Sequence, residues 1–190
     1  MLDALPYLAG YPYGCVEQTV SQAMPLYFLR NYARLYEDMF IGDMEAARVA
    51  SNAERYINHA VERLFSMQTV DGGIGYWPGY STSYPYGSVY ALHFLTVVRR
   101  GHAAPVYDTG FQNLQRAVVE IMKNDRIPTA SDYYLRAYAC YVLALDGNLE
   151  AVEFASRFDT IPVPKSARYL LAAAKAMHSS APESLLAYLD

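Results

Sequence analysis

Segments that are apolar on every side alternate along this chain with segments that are apolar on one stripe only. No single residue constrains the fold as tightly as that alternation. Residues 19–36 are apolar almost all round, through Val20, Ala23, Met24, Leu26, Tyr27, Phe28, Tyr32 and Leu35. Residues 45–67 instead gather Val49, Ala53, Tyr56, Ala60 and Leu64 on one face and keep Arg48, Asn52, Glu54 and Arg55 largely off it. The pattern then repeats. Residues 88–99 are apolar all round, and 110–123 are striped through Phe111, Leu114, Val118, Ile121 and Met122. Residues 133–145 are again apolar, 149–158 striped and 166–177 apolar, with a short helix expected to close the chain at 182–189. Sustained period-two alternation is nearly absent, so these segments read as helices and not as strands.

A helix that is apolar on all sides must be surrounded, whereas a striped helix lies on the outside. Alternating the two builds inner and outer layers of helical hairpins, so the expected fold is all-α, an α/α toroid. The pattern yields about four hairpins where a closed toroid of this type has six, so the toroid is expected to be incomplete. A weak internal repeat points the same way: Val89-Tyr90-Ala91-Leu92 and Ala137-Tyr138-Ala139-Cys140 stand 48 residues apart. The segment Gln68-x-x-Asp71-Gly72-Gly73-Ile74-Gly75-Tyr76-Trp77 resembles a turn of prenyltransferase, terpene-cyclase and thioester-domain toroids. Its glycines let the chain reverse between an outer and an inner helix, while the aromatic rings plug the hairpin.

At 190 residues the chain reads as a single domain, 1–190, with enough length to bury a substantial core. It also reads as a piece of a longer protein. The net charge of −4 and the lack of any basic cluster argue against a nucleic-acid partner. No apolar run approaches the ~20 residues of a membrane span, so direct membrane insertion is not expected. The two cysteines, Cys15 and Cys140, form no CxxC pair, and none of the four histidines stands at ligand spacing from either, so no metal is expected. The 19 tyrosines are the oddest feature of the composition, several of them crowded between Tyr76 and Tyr90. Tyrosine suits a packed core or a lined pocket, because it joins a large apolar body to a polar tip.

Chemistry concentrates in Tyr11-Pro12-Tyr13-Gly14-Cys15-Val16-Glu17-Gln18. A thiol and a primary carboxamide stand three residues apart there, behind a Pro and a Gly suited to a tight turn. Such a pair can condense with loss of ammonia and leave an internal thioester, with the Gln18 carbonyl as electrophile and Cys15 as leaving group. The motif directly precedes the first apolar segment, which places Cys15 at a helix N-terminus. Unpaired N–H groups and the positive dipole end favour anionic sulfur there and could hold charge on the attacked carbonyl oxygen. The plainer readings of Cys15 are a buried structural thiol or half of a disulfide with Cys140. Cys140 itself lies within an apolar segment and reads as a small core residue.

Pro12-Tyr13-Gly14-Cys15-x-Glu17-Gln18, with Pro25 ten residues past the cysteine, resembles the thioester motif of the α2-macroglobulin and complement family. Val16 brings it nearer the bacterial branch, which often carries a bulky aliphatic residue there. The resemblance implies the thioester domain of a broad-spectrum protease inhibitor. Cys15 and Gln18 would form the thioester pair, and no other cofactor is implied. An attacking protease would cut a bait region elsewhere in the parent and be captured covalently through its amines. Such a domain acylates once and does not turn over, so it is not an enzyme. Its partners would be target proteases and the neighbouring macroglobulin domains of the parent. The location implied is the periplasm or cell envelope, with a lipoprotein anchor on the parent as one route.

A thioester must be hidden from water until it is needed. Tyr13, Tyr76, Trp77, Tyr80, Tyr84 and Tyr86 are candidates to shield it or form its wall, with hairpin-turn packing as the plain alternative for all but Tyr13. Many complement-like members place a His before the third inner helix, and it directs transfer to hydroxyls. Residues 127–134 contain no His, so by resemblance amines such as lysine side chains are the expected targets, and Tyr133 or Tyr134 would fill the vacated space. His93 reads as a core histidine, and His59, His102 and His178 as peripheral. Two other functions fit the same fold. A toroid enzyme acting on glycans would need two carboxylates, for which Asp71 and Asp132 are best placed, although Asp71 reads more simply as a turn residue and Asp132 as a helix N-cap. One acting on isoprenoids would need an Asp-rich motif or a zinc set, and the sequence has neither. In a third reading the toroid is inert and the thioester never forms.

Overall fold

Helix starts in this protein are set by caps that reach back past the apolar pattern. A computed structural model of the chain describes residues 14–35, 52–124 and 129–179. Its helices are α1 (Val16–Leu35), α2 (Ala53–Ser66), α3 (Pro85–Arg100), α4 (Asp108–Lys123), α5 (Ala130–Leu145), α6 (Leu149–Ser156) and α7 (Lys165–Ala176). The class is all-α, as expected, and the described residues contain no strand beyond one isolated antiparallel bridge between Gln68 and Ile74. The closing helix expected at 182–189 and the first residues of the 45–67 segment lie outside the described residues.

Three helices begin three residues ahead of their apolar pattern, and each has a local cause. At α3 it is Pro85 at the first helical position, where the fixed φ is already helical and the missing N–H has no intrahelical partner to lose. The cause at α5 is a capping box. Thr129 accepts from the Asp132 amide while the Asp132 carboxylate accepts from the Thr129 amide at 2.7 Å. Asp132 is therefore the third residue of the helix, with Thr129 as the N-cap. At α1 the cap is made by Cys15 and Gln18.

The chain divides into two compact units, residues 1–111 and 112–190. In the first, α1 packs on α2 and α3. Val16, Val20, Leu26, Ile57, Leu64, Met67, Leu92, Phe94 and Leu95 are buried in this unit's core. Each such side chain contributes roughly 1.5–3 kcal/mol by leaving water. In the second unit α5 packs on α6 and α7, and α6 packs on α7. Its core includes Ala137, Cys140, Val142, Leu143, Ala155 and Leu171. The layering expectation holds best for α3, which buries Gly87, Ser88, Val89, Ala91, Leu92, Phe94, Leu95, Thr96 and Val98. Two segments expected to be apolar all round bury one side only: α1 exposes Ser21, Pro25 and Phe28, and α7 exposes Arg168 and Tyr169.

The turn between α2 and α3 holds the site in place. Gln68 Nε2 donates to the carbonyls of Gly72 (2.9 Å) and Gly110 (2.8 Å). Asp71 accepts from the Thr69 hydroxyl, the Gly73 amide (3.1 Å) and the Ser83 hydroxyl (2.8 Å). The buried Ser88 hydroxyl takes the Ile74 amide at 2.9 Å, and Tyr84 N donates to the Ile74 carbonyl at 2.7 Å. Gln68, Asp71, Ser83 and Ser88 thereby fasten residues 67–84 into one compact reversal.

Candidate reactive site at the start of the first helix

Cys15 stands at the N-cap of α1, with Val16, Glu17 and Gln18 as its first three residues. The Gln18 side chain folds back so that its Oε1 accepts from the Cys15 amide at 3.0 Å. This is the backward half of a capping box, in which a residue three into the helix satisfies the N-cap amide. The Cys15 carbonyl accepts from Thr19 N at 2.9 Å, opening the helical ladder. The sequence thus brings the thiol-bearing residue and the carboxamide together by an ordinary helix-start geometry. Cys15 is 4% exposed, whereas Gln18 is exposed to solvent.

Gly14 makes that geometry possible. A Cβ placed on it would stand 2.7 Å from the Gln18 Cβ and 3.4 Å from Gln18 Oε1. The Gly14 carbonyl is fixed by Arg63 of α2, which donates from Nε at 3.0 Å and Nη2 at 2.7 Å, and by a longer 3.4 Å bond from Thr19 Oγ1. Gly87 allows the close approach of α3, since a Cβ there would lie 2.6 Å from Val16 Cγ1.

The reversal after α2 supplies the surroundings. The Tyr76 carbonyl accepts from Val16 N at 3.2 Å, satisfying a helix-start amide that has no partner within α1. Interaction with the Cys15 side chain first, and burial after it, hold the Tyr76 hydroxyl above its ordinary value. Trp77 packs edge-on against the Tyr76 ring, centroids 6.0 Å apart, and Tyr80 is 56% exposed. Tyr84 stacks edge-on to Tyr76 at 5.4 Å and donates its hydroxyl to Glu17 Oε1 at 2.8 Å. That bond first, and burial second, push the Tyr84 hydroxyl up to about 12.

Of the residues singled out from sequence, Cys15, Gln18, Tyr76 and Trp77 meet in this one place. Tyr13 lies outside the described residues. Tyr133 and Tyr134 belong to the second unit, where their rings pack on Phe158 (6.2 Å) and Tyr138 (6.3 Å). Arg63 went unassigned, and the bond between Glu17 and Tyr84, itself a shielding candidate, was not foreseen. The only signal for Arg63 was its place in the last turn of the helix leading into the glycine reversal.

The remaining candidates have ordinary occupations. Both cysteines are free and buried, in place of the disulfide that was one alternative. Burial pushes the Cys140 thiol up to about 12. Asp71 is spent in its turn and Asp132 in its capping box, and these hydrogen bonds hold both below the usual carboxylate range. Burial lowers His93, and His178 Nε2 lies 2.9 Å from the Ala144 carbonyl. Among the described residues no cluster of His, Cys, Asp and Glu could hold a metal, and no helix is long and apolar enough to cross a membrane.

No protein-family model matches the chain. The chain is 30% identical over 142 residues to an α2-macroglobulin of Rickettsia conorii, a match covering 72% of this chain and 7% of that protein. It is likewise 30% identical over 145 residues to the Escherichia coli α2-macroglobulin, covering 72% of this chain and 8% of that one. The chain therefore spans less than a tenth of the length of these relatives. Among solved structures, Salmonella α2-macroglobulin reacted with methylamine superposes with a TM-score of 0.71 at 22% identity, covering 97% of this chain and 12% of that one. Escherichia coli α2-macroglobulin activated by porcine elastase gives 0.71 at 22% identity, over 99% of this chain and 17% of that one. These superpositions show a shared fold.

Proposed function

Since the chain is homologous to a stretch of the bacterial α2-macroglobulins, we propose that it is the thioester-bearing part of such a protein and captures attacking proteases covalently. The observation that carries this reading is the Gln18 carboxamide folded onto the amide of Cys15, 3.0 Å away, at a helix N-terminus. Condensation there joins Cys15 Sγ to Gln18 Cδ and releases ammonia. A protease amine then displaces the thiol and remains attached to Gln18 through an amide bond. Each molecule reacts once. The protein is a single-use trap and not an enzyme.

Two properties of the relatives support the reading. One solved relative is described as reacted with methylamine, a small amine, and another as activated by a protease. Residues 127–134 offer no His to divert the acyl group toward hydroxyls, which favours amines such as lysine side chains. Tyr76, with Trp77 behind it, covers the sulfur until the parent rearranges. The bait region and the neighbouring macroglobulin domains belong to the rest of that parent, which operates in the periplasm or cell envelope.

Intact mass of the freshly purified chain tests this directly, with and without methylamine and against Cys15→Ala. The expected result is a mass one ammonia short, converted by methylamine to an adduct with a newly titratable thiol. An unmodified mass with Cys15 titratable from the outset would refute it.

A further inference from the structure

The Gly14–Cys15 peptide carries a cation at one end and the reacting carboxamide at the other. Its carbonyl oxygen takes both Arg63 donors, at 3.0 and 2.7 Å. Its N–H, which belongs to Cys15, donates to Gln18 Oε1 at 3.0 Å. A peptide group polarises as one unit: positive charge at the oxygen draws density from the nitrogen and makes the N–H a stronger donor. The bonds to the oxygen come from a guanidinium, and charge-assisted bonds are about twice as strong as neutral ones. Arg63 thus lies in line with the carbon that reacts, one peptide removed from it.

We infer that the Cys15 amide is the oxyanion donor for the Gln18 carbonyl, and that Arg63 is a positioning residue that holds and strengthens this donor through the Gly14–Cys15 peptide. The inference rests on the thioester reading above. In the condensation Cys15 Sγ adds to Gln18 Cδ, and the carbonyl electron pair moves onto Oε1. Collapse re-forms the carbonyl and breaks the Cδ–N bond, and ammonia leaves carrying the thiol proton. In the transfer an amine nitrogen adds to the same carbon and Oε1 again takes the pair. Collapse now breaks Cδ–Sγ, and the proton lost by the amine ends on the Cys15 sulfur. Both steps place negative charge on the same oxygen, so one donor serves the making and the spending of the bond.

Three versions of the full chain test this: wild type, Arg63→Gln and Arg63→Lys. Four quantities are read for each: the ammonia deficit by intact mass, the rate of methylamine incorporation, the thioester carbonyl stretch by infrared, and the thermal midpoint. Direct loss of an oxyanion donor costs about 10²–10³-fold in rate, and a residue acting through it should cost less, about tenfold in Arg63→Gln. The carbonyl stretch should rise in frequency as polarisation weakens. Arg63→Lys, which keeps the charge with simpler geometry, should recover part of both.

Wild-type rate and an unmoved stretch in Arg63→Gln would overturn the inference while leaving the thioester reading intact. So would a rate loss that follows the thermal midpoint with no change in the stretch, which marks a merely structural arginine. If Arg63→Gln does not fold, the same two readings on Arg63→Lys decide. A wild-type chain with no ammonia deficit overturns the thioester reading, and this inference with it.

Discussion

Gly14 sits where any side chain would press on the one group the site depends on. A Cβ there would approach the Gln18 Cβ to 2.7 Å, a contact near the backbone that a rotamer change cannot relieve. We expect Gly14→Ala to lower unfolding free energy by about 1–3 kcal/mol, the usual cost of overpacking. The ammonia deficit should shrink in the same variant, because the box joining Gln18 to the Cys15 amide is forced apart. Denaturant melts and intact mass together check this, and a full deficit would mean that Gln18 need not fold back to react. Gln18 combines two jobs at this scale. Its side-chain oxygen caps the start of a helix, and the carbon bearing that oxygen is the centre on which the proposed chemistry acts.

At the scale of elements, the reversal from Met67 to Tyr84 does more than join two helices. Its Asp71 is held below the usual carboxylate range chiefly by the Thr69 hydroxyl, with help from Ser83 and the Gly73 amide. A carboxylate depressed on folding contributes stability at pH values above its unfolded value of 3.8 and loses it as pH falls through the lowered folded value. The difference in stability between wild type and Asp71→Ala should therefore be full at neutral pH and shrink on acidification across that window. A difference that stays constant down to the acid limit would show that Asp71 acts by packing alone.

The helices were legible because a period of about 3.6 is a local property of the sequence. Their starts were less so, since a cap such as Thr129–Asp132 lies outside the apolar stripe. That Cys15 and Gln18 belong together was legible from their spacing of three residues, though their capping-box geometry was not foreseen. What escaped was contact across distance: Arg63 meets Gly14 from 49 residues away, and Tyr84 meets Glu17 from 67. No periodicity records which loop a helix end will face.

The whole molecule should be limited at alkaline pH before its surface charge becomes extreme. Burial raises Cys140 from 9.0 to about 12, and the bond to Glu17 raises Tyr84 from 10.0 to about 12. A raised acid stays neutral in the fold while the unfolded chain ionises, so unfolding releases protons and stability falls with rising pH. The fall should begin near pH 9 and continue toward 12. Replacing Cys140 by Ala should remove the part of the slope that begins near 9, as chemical denaturation across that range would reveal. The chain matches only 7–8% of the length of its α2-macroglobulin relatives. On the proposed function it would carry the reactive pair, and recognition of an attacking protease would belong to the remainder.

Tyr76 fastens the start of α1 with its main chain and touches Cys15 with its side chain. Moving the ring alone would leave the helix start fastened, whereas moving the backbone would also strip Val16 of its partner. The two displacements therefore carry different penalties. On the proposed chemistry, a nucleophile small enough to pass the ring would leave the fastening intact, and a protein-sized one would have to break it.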